Sequence, residues 1–373
     1  MKVATLTKTS SLSLPVDSYI YKILQVDSNL AAISSDDSLR IIDSTSLKEI
    51  AGGILKNVHT GVTCLEASEN DTKGFLTAGR DAVVRSWDLR SGRSTLELSD
   101  GSNTPCLSLC NDDHFVVIGT ELSHSQASVI LWDNRSPSKP VRQYVESHND
   151  DITELQFHPH SRGTLLSGST DGLVNVYDID HSDEDDALSQ VANHGSSIHH
   201  AGFLSNSQFF ALSHDETFSI YQLESPDNPA PDMIPQVFGN LRPKLECEYV
   251  VDIIPHFGSG EAILGAGSHS KHHLDLIPLQ YADNWSFDQN ITIRLPDAHG
   301  EEIVRSMLIN HDAQTIFTAG EGGLIRAWRT SAENGQEHMQ EAETTTETEK
   351  SKKKRRKKDH AAGDEAKGRF KPY

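Results

Sequence analysis

Histidine and cysteine are the side chains of this chain with the widest chemistry, and its 373 residues include 19 His and 4 Cys. Two adjacent pairs, His199–His200 and His272–His273, suggest metal binding, because imidazole nitrogen is a common ligand of zinc. Successive residues of a strand point to opposite faces, so we expect neither pair to converge on one ion. The cysteines have neither metal-ligand nor redox spacing, which is typical of reduced, buried thiols in an intracellular protein.

Motifs that would mark a catalytic centre do not occur in the sequence. It contains no G-x-x-x-x-G-K-[ST], no H-E-x-x-H and no G-x-S-x-G. The N-terminus lacks the apolar segment of a secretory signal, and no apolar run approaches the ~18 residues of a membrane span. We therefore predict a protein that is not an enzyme, binds no metal or cofactor, and has no membrane partner.

Charge divides the chain into two parts. Residues 331–373 hold 11 basic and 9 acidic residues, so residues 1–330 carry 22 basic and 45 acidic ones, a net charge of −23. An acidic surface repels phosphate backbones and attracts basic partners. We expect residues 1–330 to bind basic proteins rather than nucleic acid.

A run of seven basic residues interrupts the C-terminal part. The stretch before it is poor in apolar residues and is predicted to be disordered. Such a run on an accessible tether is typical of a nuclear-import signal, with weak RNA binding and a merely solvated run as alternatives. We predict a nuclear protein and leave nucleolar localisation open. The import residues are Lys352, Lys353, Lys354, Arg355, Arg356, Lys357 and Lys358.

A 45-residue repeat organises residues 1–330. Four β-like segments end on Asp43, Asp88, Asp133 and Asp178, each 45 residues after the last, and three looser copies end at 222, 279 and 329. Short alternating apolar stretches bounded by turn residues indicate strands, about four in each unit. A four-stranded sheet cannot bury both faces alone, so seven units packed radially are expected.

The segment "TAGRDAVVRSWDLRSG" resembles a WD-repeat, the unit of a β-propeller. This resemblance implies a polar network of His, Ser or Thr, Asp and an aromatic residue in each complete blade. Ala211 in the fifth unit and Gly322 in the seventh depart from the pattern. The matching positions are His59, Thr77, Asp81, Trp87, His148, Ser167, Asp171, Tyr177, His194, Asp215, Tyr221, His299, Thr318 and Trp328.

The predicted fold is all-β: a seven-bladed WD-repeat β-propeller over residues 1–330, followed by a disordered, acidic-then-basic tail over 331–373. The N-terminal segment "KVATLTK" has no blade of its own, and pairing with the seventh unit would close the ring. The layout resembles the WD repeat-containing protein 89 group, which implies a nuclear interaction protein.

Two sets of residues are candidates for partner binding. Arg90 and Arg135 belong to the motifs "WDLR" and "WDNR", which resemble those of substrate receptors that dock on the adaptor of cullin-4 ubiquitin ligases. The alternative interpretation is that both arginines are ordinary turn residues with no role in partner binding. Asp183, Glu184, Asp185 and Asp186 form an acidic loop that would attract a basic partner or simply be solvated.

These features predict a non-enzymatic nuclear scaffold whose acidic propeller binds a basic protein, in ribosome assembly or chromatin. The alternative function is a substrate receptor of a cullin-4 type ligase.

Replacing residues 352–358 by alanine tests the import signal. We expect the tagged variant to leak into the cytoplasm, as seen by fluorescence microscopy, because the importer has lost its cationic ligand. The melting temperature of the purified protein should stay unchanged. Full nuclear retention of the variant would contradict the prediction.

Overall fold

The computed structural model describes residues 1–68, 74–88, 91–224, 234–257 and 259–330. Residues Met1–Thr330 form one compact unit. After the N-terminal strand β1 (Lys2–Ser10), five four-stranded antiparallel sheets follow one another along the chain. They form blades 1 to 5, and within each the first strand is the inner one.

The strands of blades 1 and 2 are β2 (Ile20–Val26), β3 (Asn29–Ser34), β4 (Ser38–Asp43), β5 (Glu49–Leu55), β6 (Val62–Ala67), β7 (Gly74–Gly79), β8 (Val84–Asp88) and β9 (Arg93–Leu98). Blades 3 and 4 contain β10 (Cys106–Asn111), β11 (Phe115–Thr120), β12 (Val129–Asp133), β13 (Arg142–Tyr144), β14 (Ile152–Phe157), β15 (Thr164–Ser169), β16 (Leu173–Asp178), the short helix α1 (Glu184–Ala187) and β17 (Leu188–Asn193). Blade 5 contains β18 (Ile198–Ser205), β19 (Gln208–Ser213), β20 (Thr217–Gln222) and β21 (Gln236–Asn240), and helix α2 (Leu241–Leu245) follows it.

Blades 6 and 7 lie in one nine-stranded sheet. Blade 6 contains β22 (Tyr249–His256), β23 (Glu261–Ser268) and β24 (His273–Tyr281), and its outer edge is split into β25 (Trp285–Phe287) and β26 (Ile293–Pro296) by a 3₁₀ turn (Gln289–Ile291). Blade 7 contains β27 (Val304–Asn310), β28 (Thr315–Gly320) and β29 (Ile325–Thr330).

Strand β1 closes the ring. It pairs antiparallel with β29, from Ala4 opposite Thr330 to Ser10 opposite Ile325, and becomes the fourth strand of blade 7. Its first residues also pair in parallel with β26, as Lys2 opposite Ile293. The prediction of an all-β, seven-bladed propeller closed by an N-terminal strand is confirmed.

Apolar side chains fill the space between neighbouring blades. Leu131 of blade 3, for example, packs in one buried cluster with Leu155 and Tyr177 of blade 4. The second strands are covered on both sides, and all six residues of β7, β19 and β28 are buried. Burial of this apolar surface is the main force that holds the blades together.

Every inner strand carries a β-bulge near its start. The shift in register falls between Ile198 and His200 in β18 and at the matching place in the other six inner strands. A bulge interrupts the alternation of side chains, and the rings of His199 and His200 lie 4.1 Å apart between centroids. The expectation that these two rings point to opposite faces is therefore wrong.

The described residues contain no group of three His, Cys, Asp or Glu side chains that could hold a metal ion. They also contain no helix that is both long and apolar enough to cross a membrane.

Candidate protein-interaction site

Polar networks fasten the turns of blades 2 and 4. In blade 2, His59 Nδ1 lies 2.8 Å from Asp81 Oδ1, and His59 Nε2 lies 2.7 Å from Thr77 Oγ1. The indole N–H of Trp87 donates to the same Thr77 hydroxyl at 2.8 Å. Each polar atom is thereby satisfied where water is excluded.

Blade 4 repeats this arrangement with a different aromatic residue. His148 lies 3.0 Å from Asp171 and 2.7 Å from Ser167. Asp171 also accepts the backbone N–H groups of Asn149 and Leu173, so its carboxylate joins the segment before β14 to the turn between β15 and β16. Tyr177 is fully buried and its hydroxyl lies 2.7 Å from that of Ser147.

Blade 5 differs from the expected network. His194 lies 2.9 Å from the Thr217 hydroxyl and 3.2 Å from the Tyr221 hydroxyl. Asp215 is exposed and accepts a hydrogen bond from Ser196 at 3.1 Å. The expected pairing of Asp215 with His194 is wrong, because Ala211 offers no hydroxyl and Thr217 supplies one from the next strand.

Blade 7 shows the effect of a missing carboxylate. His299 Nε2 lies 2.9 Å from the Thr318 hydroxyl, which accepts the Trp328 indole N–H at 3.0 Å. Gly322 occupies the Asp position, and the buried Nδ1 of His299 has no hydrogen-bond partner among the described residues. Burial and the nearby charge of Arg326 lower the pKa of His299 to about 4.

The arginine of "WDNR" is engaged within its own turn. Arg135 donates to both oxygens of Asp133, at 2.9 and 2.6 Å, although its side chain is 73% exposed. These bonds lower the pKa of Asp133 to about 2. A partner that binds Arg135 must therefore compete with Asp133. Arg90 and residues 352–358 lie outside the described residues.

The acidic segment of blade 4 is a helical turn rather than an open loop. The Asp183 side chain caps α1 by accepting the backbone N–H of Asp185. The Glu184 carboxylate accepts three backbone N–H groups, of residues 145, 146 and 147, at 2.6, 2.9 and 2.8 Å. Glu184 therefore holds the backbone of residues 145–147 against α1, whereas Asp183, Asp185 and Asp186 are exposed.

A groove of about 710 Å³ lies between the turns that follow the inner strands of blades 3 and 4. We call it the acidic groove. Phe115 and Phe157 supply its apolar surface, and Asp112, Asp113 and Asp180 supply its negative charge. Its other charged or titratable groups are Arg162 and three histidines (His114, His158 and His160).

Asp112 is held in place by accepting the backbone N–H groups of residues 114 and 115, while Asp113 and Asp180 are exposed. Asp180 reaches the groove because the backbone N–H of Ile179 donates to Gly163 O, which joins two turns of blade 4. Sequence reasoning missed these three carboxylates. The turn "NDDH" was the available signal for two of them.

The bulged inner strands line a central cavity of about 410 Å³. Two ion pairs cross from blade to blade on its wall: Lys22 to Glu66 at 2.6 Å and Glu154 to His200 at 2.7 Å. Burial opposes protonation of His200, but the hydrogen bond and charge of Glu154 outweigh it and raise the pKa of His200 to about 9. His200 is therefore a cation at neutral pH.

Blades with these His, Thr, Asp and Trp networks, closed by an N-terminal strand, define a WD-repeat β-propeller. The family model for the WD domain, G-beta repeat, matches residues 138–178. The chain belongs to the WD-repeat family, and as such it is a protein-interaction scaffold.

Similar proteins include an uncharacterized WD repeat-containing protein of Saccharomyces cerevisiae, 32% identical over 79% of this chain and 74% of that protein. An uncharacterized WD repeat-containing protein of Schizosaccharomyces pombe is 33% identical over 83% of this chain and 95% of its own length. The WD repeat-containing protein 89 homolog of Dictyostelium discoideum is 24% identical over 83% of this chain and 82% of its own.

The Asp171→Ala substitution should lower the free energy of unfolding by about 1–3 kcal/mol, because buried His148 and two turn N–H groups lose their acceptor. Asp215→Ala is the matched control and should cost less, since that carboxylate is exposed. Urea denaturation measures both. Equal losses would show that the network does not stabilise blade 4.

Glu154→Gln should change how stability depends on pH. The folded-state pKa of His200, about 9, lies above the ordinary value of 6.5. The pair therefore stabilises the fold fully below pH 6.5 and loses this contribution as the pH rises to 9. Melting temperatures between pH 6 and 9 should fall more steeply for wild type than for Glu154→Gln. Identical slopes would refute the ion pair. Glu261→Gln, an exposed substitution at a residue with no ion pair among the described residues, should keep the wild-type slope.

Proposed function

We propose that this propeller is a non-enzymatic nuclear scaffold that holds a basic protein in its acidic groove, in ribosome assembly or chromatin. The observation that carries the proposal is the composition of the groove, where apolar surface and three aspartates lie together. Ribosomal proteins and histones are the basic proteins of the nucleus that suit such a surface.

The groove suits an extended basic segment better than a compact ligand. It is open to solvent between two turns, and its phenylalanines offer surface to the aliphatic parts of lysine or arginine side chains. Exposed Asp183, Asp185 and Asp186 continue the negative charge outward along the same connection of blade 4 that contains Asp180.

Long-range attraction supports the same class of partner. A net charge of −23 on residues 1–330 would accelerate encounter with a cationic protein and slow encounter with nucleic acid. The nuclear setting is inferred from the basic run at 352–358. The composition of that run is the only support for its role as an import signal.

The cullin-4 receptor remains the competing function, and no contact of the described residues favours it. Affinity purification distinguishes the two. Recovery of the cullin-4 adaptor with the wild type, and its loss with Arg135→Ala, would replace the scaffold proposal by the receptor function.

Binding to purified core histones and to total ribosomal protein, measured by biolayer interferometry, tests the groove directly. Affinity for one of these probes should fall by about an order of magnitude or more between 50 and 300 mM salt, mostly through the association rate. The double variant Asp113→Asn, Asp180→Asn should weaken binding about 2–10-fold, because two rim charges are lost.

The matched control is Glu301→Gln with Glu302→Gln, which removes two exposed charges of blade 7. The control should bind with nearly wild-type affinity. A small loss of affinity is expected because the net negative charge is lower by two. Binding that ignores salt, or equal weakening in both double variants, would overturn the groove as the binding site.

A further inference from the structure

The acidic groove adjoins the central cavity. Asn111 and Phe157 line both, at the ends of the inner strands of blades 3 and 4. A segment that lies in the groove therefore has a route for one side chain into the channel. Nothing in the repeat pattern requires this route, which depends on the turns of these two blades.

The inner strands are bonded to each other around most of the ring. Thr63 donates to Cys106 O at 2.7 Å, Ser108 to Ile152 O at 2.8 Å, and Thr153 to Ile198 O at 3.1 Å. Lys22–Glu66 links blades 1 and 2, Val304 N donates to the Tyr249 hydroxyl, and Ile23 N donates to the Ser306 hydroxyl.

The seam between blades 5 and 6 is the exception. Within the described parts of β18 and β22, no hydrogen bond or ion pair joins the two strands. Gly202 lies here, and a Cβ on it would meet the Gln156 side-chain oxygen at 2.7 Å and the Phe210 ring at 3.3 Å. Because Gly202 has no side chain, Phe210 of the second strand lines the cavity, together with Ile254 and Pro255 of blade 6.

One of the three acidic side chains that line this cavity has no ion-pair partner among the described residues. Lys22 pairs with Glu66, and His200 with Glu154. The Asp252 carboxylate accepts the backbone N–H of Ile253 at 2.7 Å. Its charge helps to raise the pKa of His200 across the seam, but among the described residues it forms no ion pair within 4.0 Å. The five charged side chains of the wall thus sum to −1 with His200 protonated.

We propose that the central cavity receives one lysine or arginine side chain of the basic partner, whose cation pairs with Asp252. The aliphatic stem of that side chain lies against Phe210, Ile254 and Pro255. A cavity of about 410 Å³ is within the range of ligand sites, which run from roughly 300 to 1,000 Å³. This inference rests on the proposed function and adds a specificity site to it.

The probe is a fluorescein-labelled nonapeptide with basic flanks and a single central arginine, together with a lysine version and a neutral citrulline version. Fluorescence polarisation with the full chain gives the affinity of each. Wild type should bind the arginine or the lysine peptide about tenfold or more tightly than the citrulline peptide, because a charge-assisted bond forms in a partly enclosed site.

Asp252→Asn should abolish this preference and leave citrulline binding unchanged. Asparagine keeps the acceptor for Ile253 N–H, so the fold should survive, as a thermal melt will show. Asp113→Asn is the matched control: it should weaken all three peptides equally and keep the preference. The preference should also persist at 300 mM salt, since an enclosed pair is screened less than a rim charge.

The two proposals fail in different ways. If basic proteins bind the groove but Asp252→Asn keeps the wild-type preference, or wild type shows none, the channel site is wrong and the scaffold stands. If wild type binds neither the basic proteins nor the peptides, the proposed function fails and the channel site fails with it.

Discussion

Closure of the ring by β1 is the constraint on which the rest of the structure depends. Each blade is a sheet with two apolar faces, and it can bury both only if it has a neighbour on either side. An open chain of blades would expose two such faces and an unpaired edge. Strand β1 removes both by pairing with β29, and its contact with β26 joins blade 6 to blade 7 in a single sheet. The N-terminal strand therefore holds blades 6 and 7 together.

Closure also decides what the channel can do. All seven inner strands carry the same bulge, and in four of them the residue that follows it lines the central cavity: Lys22, Glu154, His200 and Asp252. Side chains that belong to no recognisable motif become neighbours in the ring. Several form a hydrogen bond or an ion pair with a residue of an adjacent blade. The seam between blades 5 and 6 lacks such bonds. This gap is the physical reason that Asp252 has no ion-pair partner on the neighbouring inner strand among the described residues.

The electrostatics of the propeller operate on two length scales. The net charge acts at a distance, guides cationic proteins and is weakened by salt. The groove and the channel interact with a partner only at short range. There, the positions of individual carboxylates matter more than the total charge. Several acidic residues that are conspicuous in the sequence have internal partners: Glu184 fastens backbone amides and Asp133 holds Arg135. The carboxylates that remain free to meet a partner are therefore a smaller set than the composition implies.

The sequence by itself determined the repeat period, the all-β architecture, the closing strand and the networks of blades 2 and 4. These features follow from short motifs, such as an Asp six residues before the aromatic residue, whose spacing is set within one blade. Tertiary structure alone decided the rest. Thr217 replaces Asp215 as the partner of His194, and His199 lies against His200 because of a bulge. Asp112, Asp113 and Asp180 share a groove, while Asp252 stays unpaired, because the packing of different blades sets their distances. Those blades contribute residues that are far apart in the chain, where no local pattern records the contact.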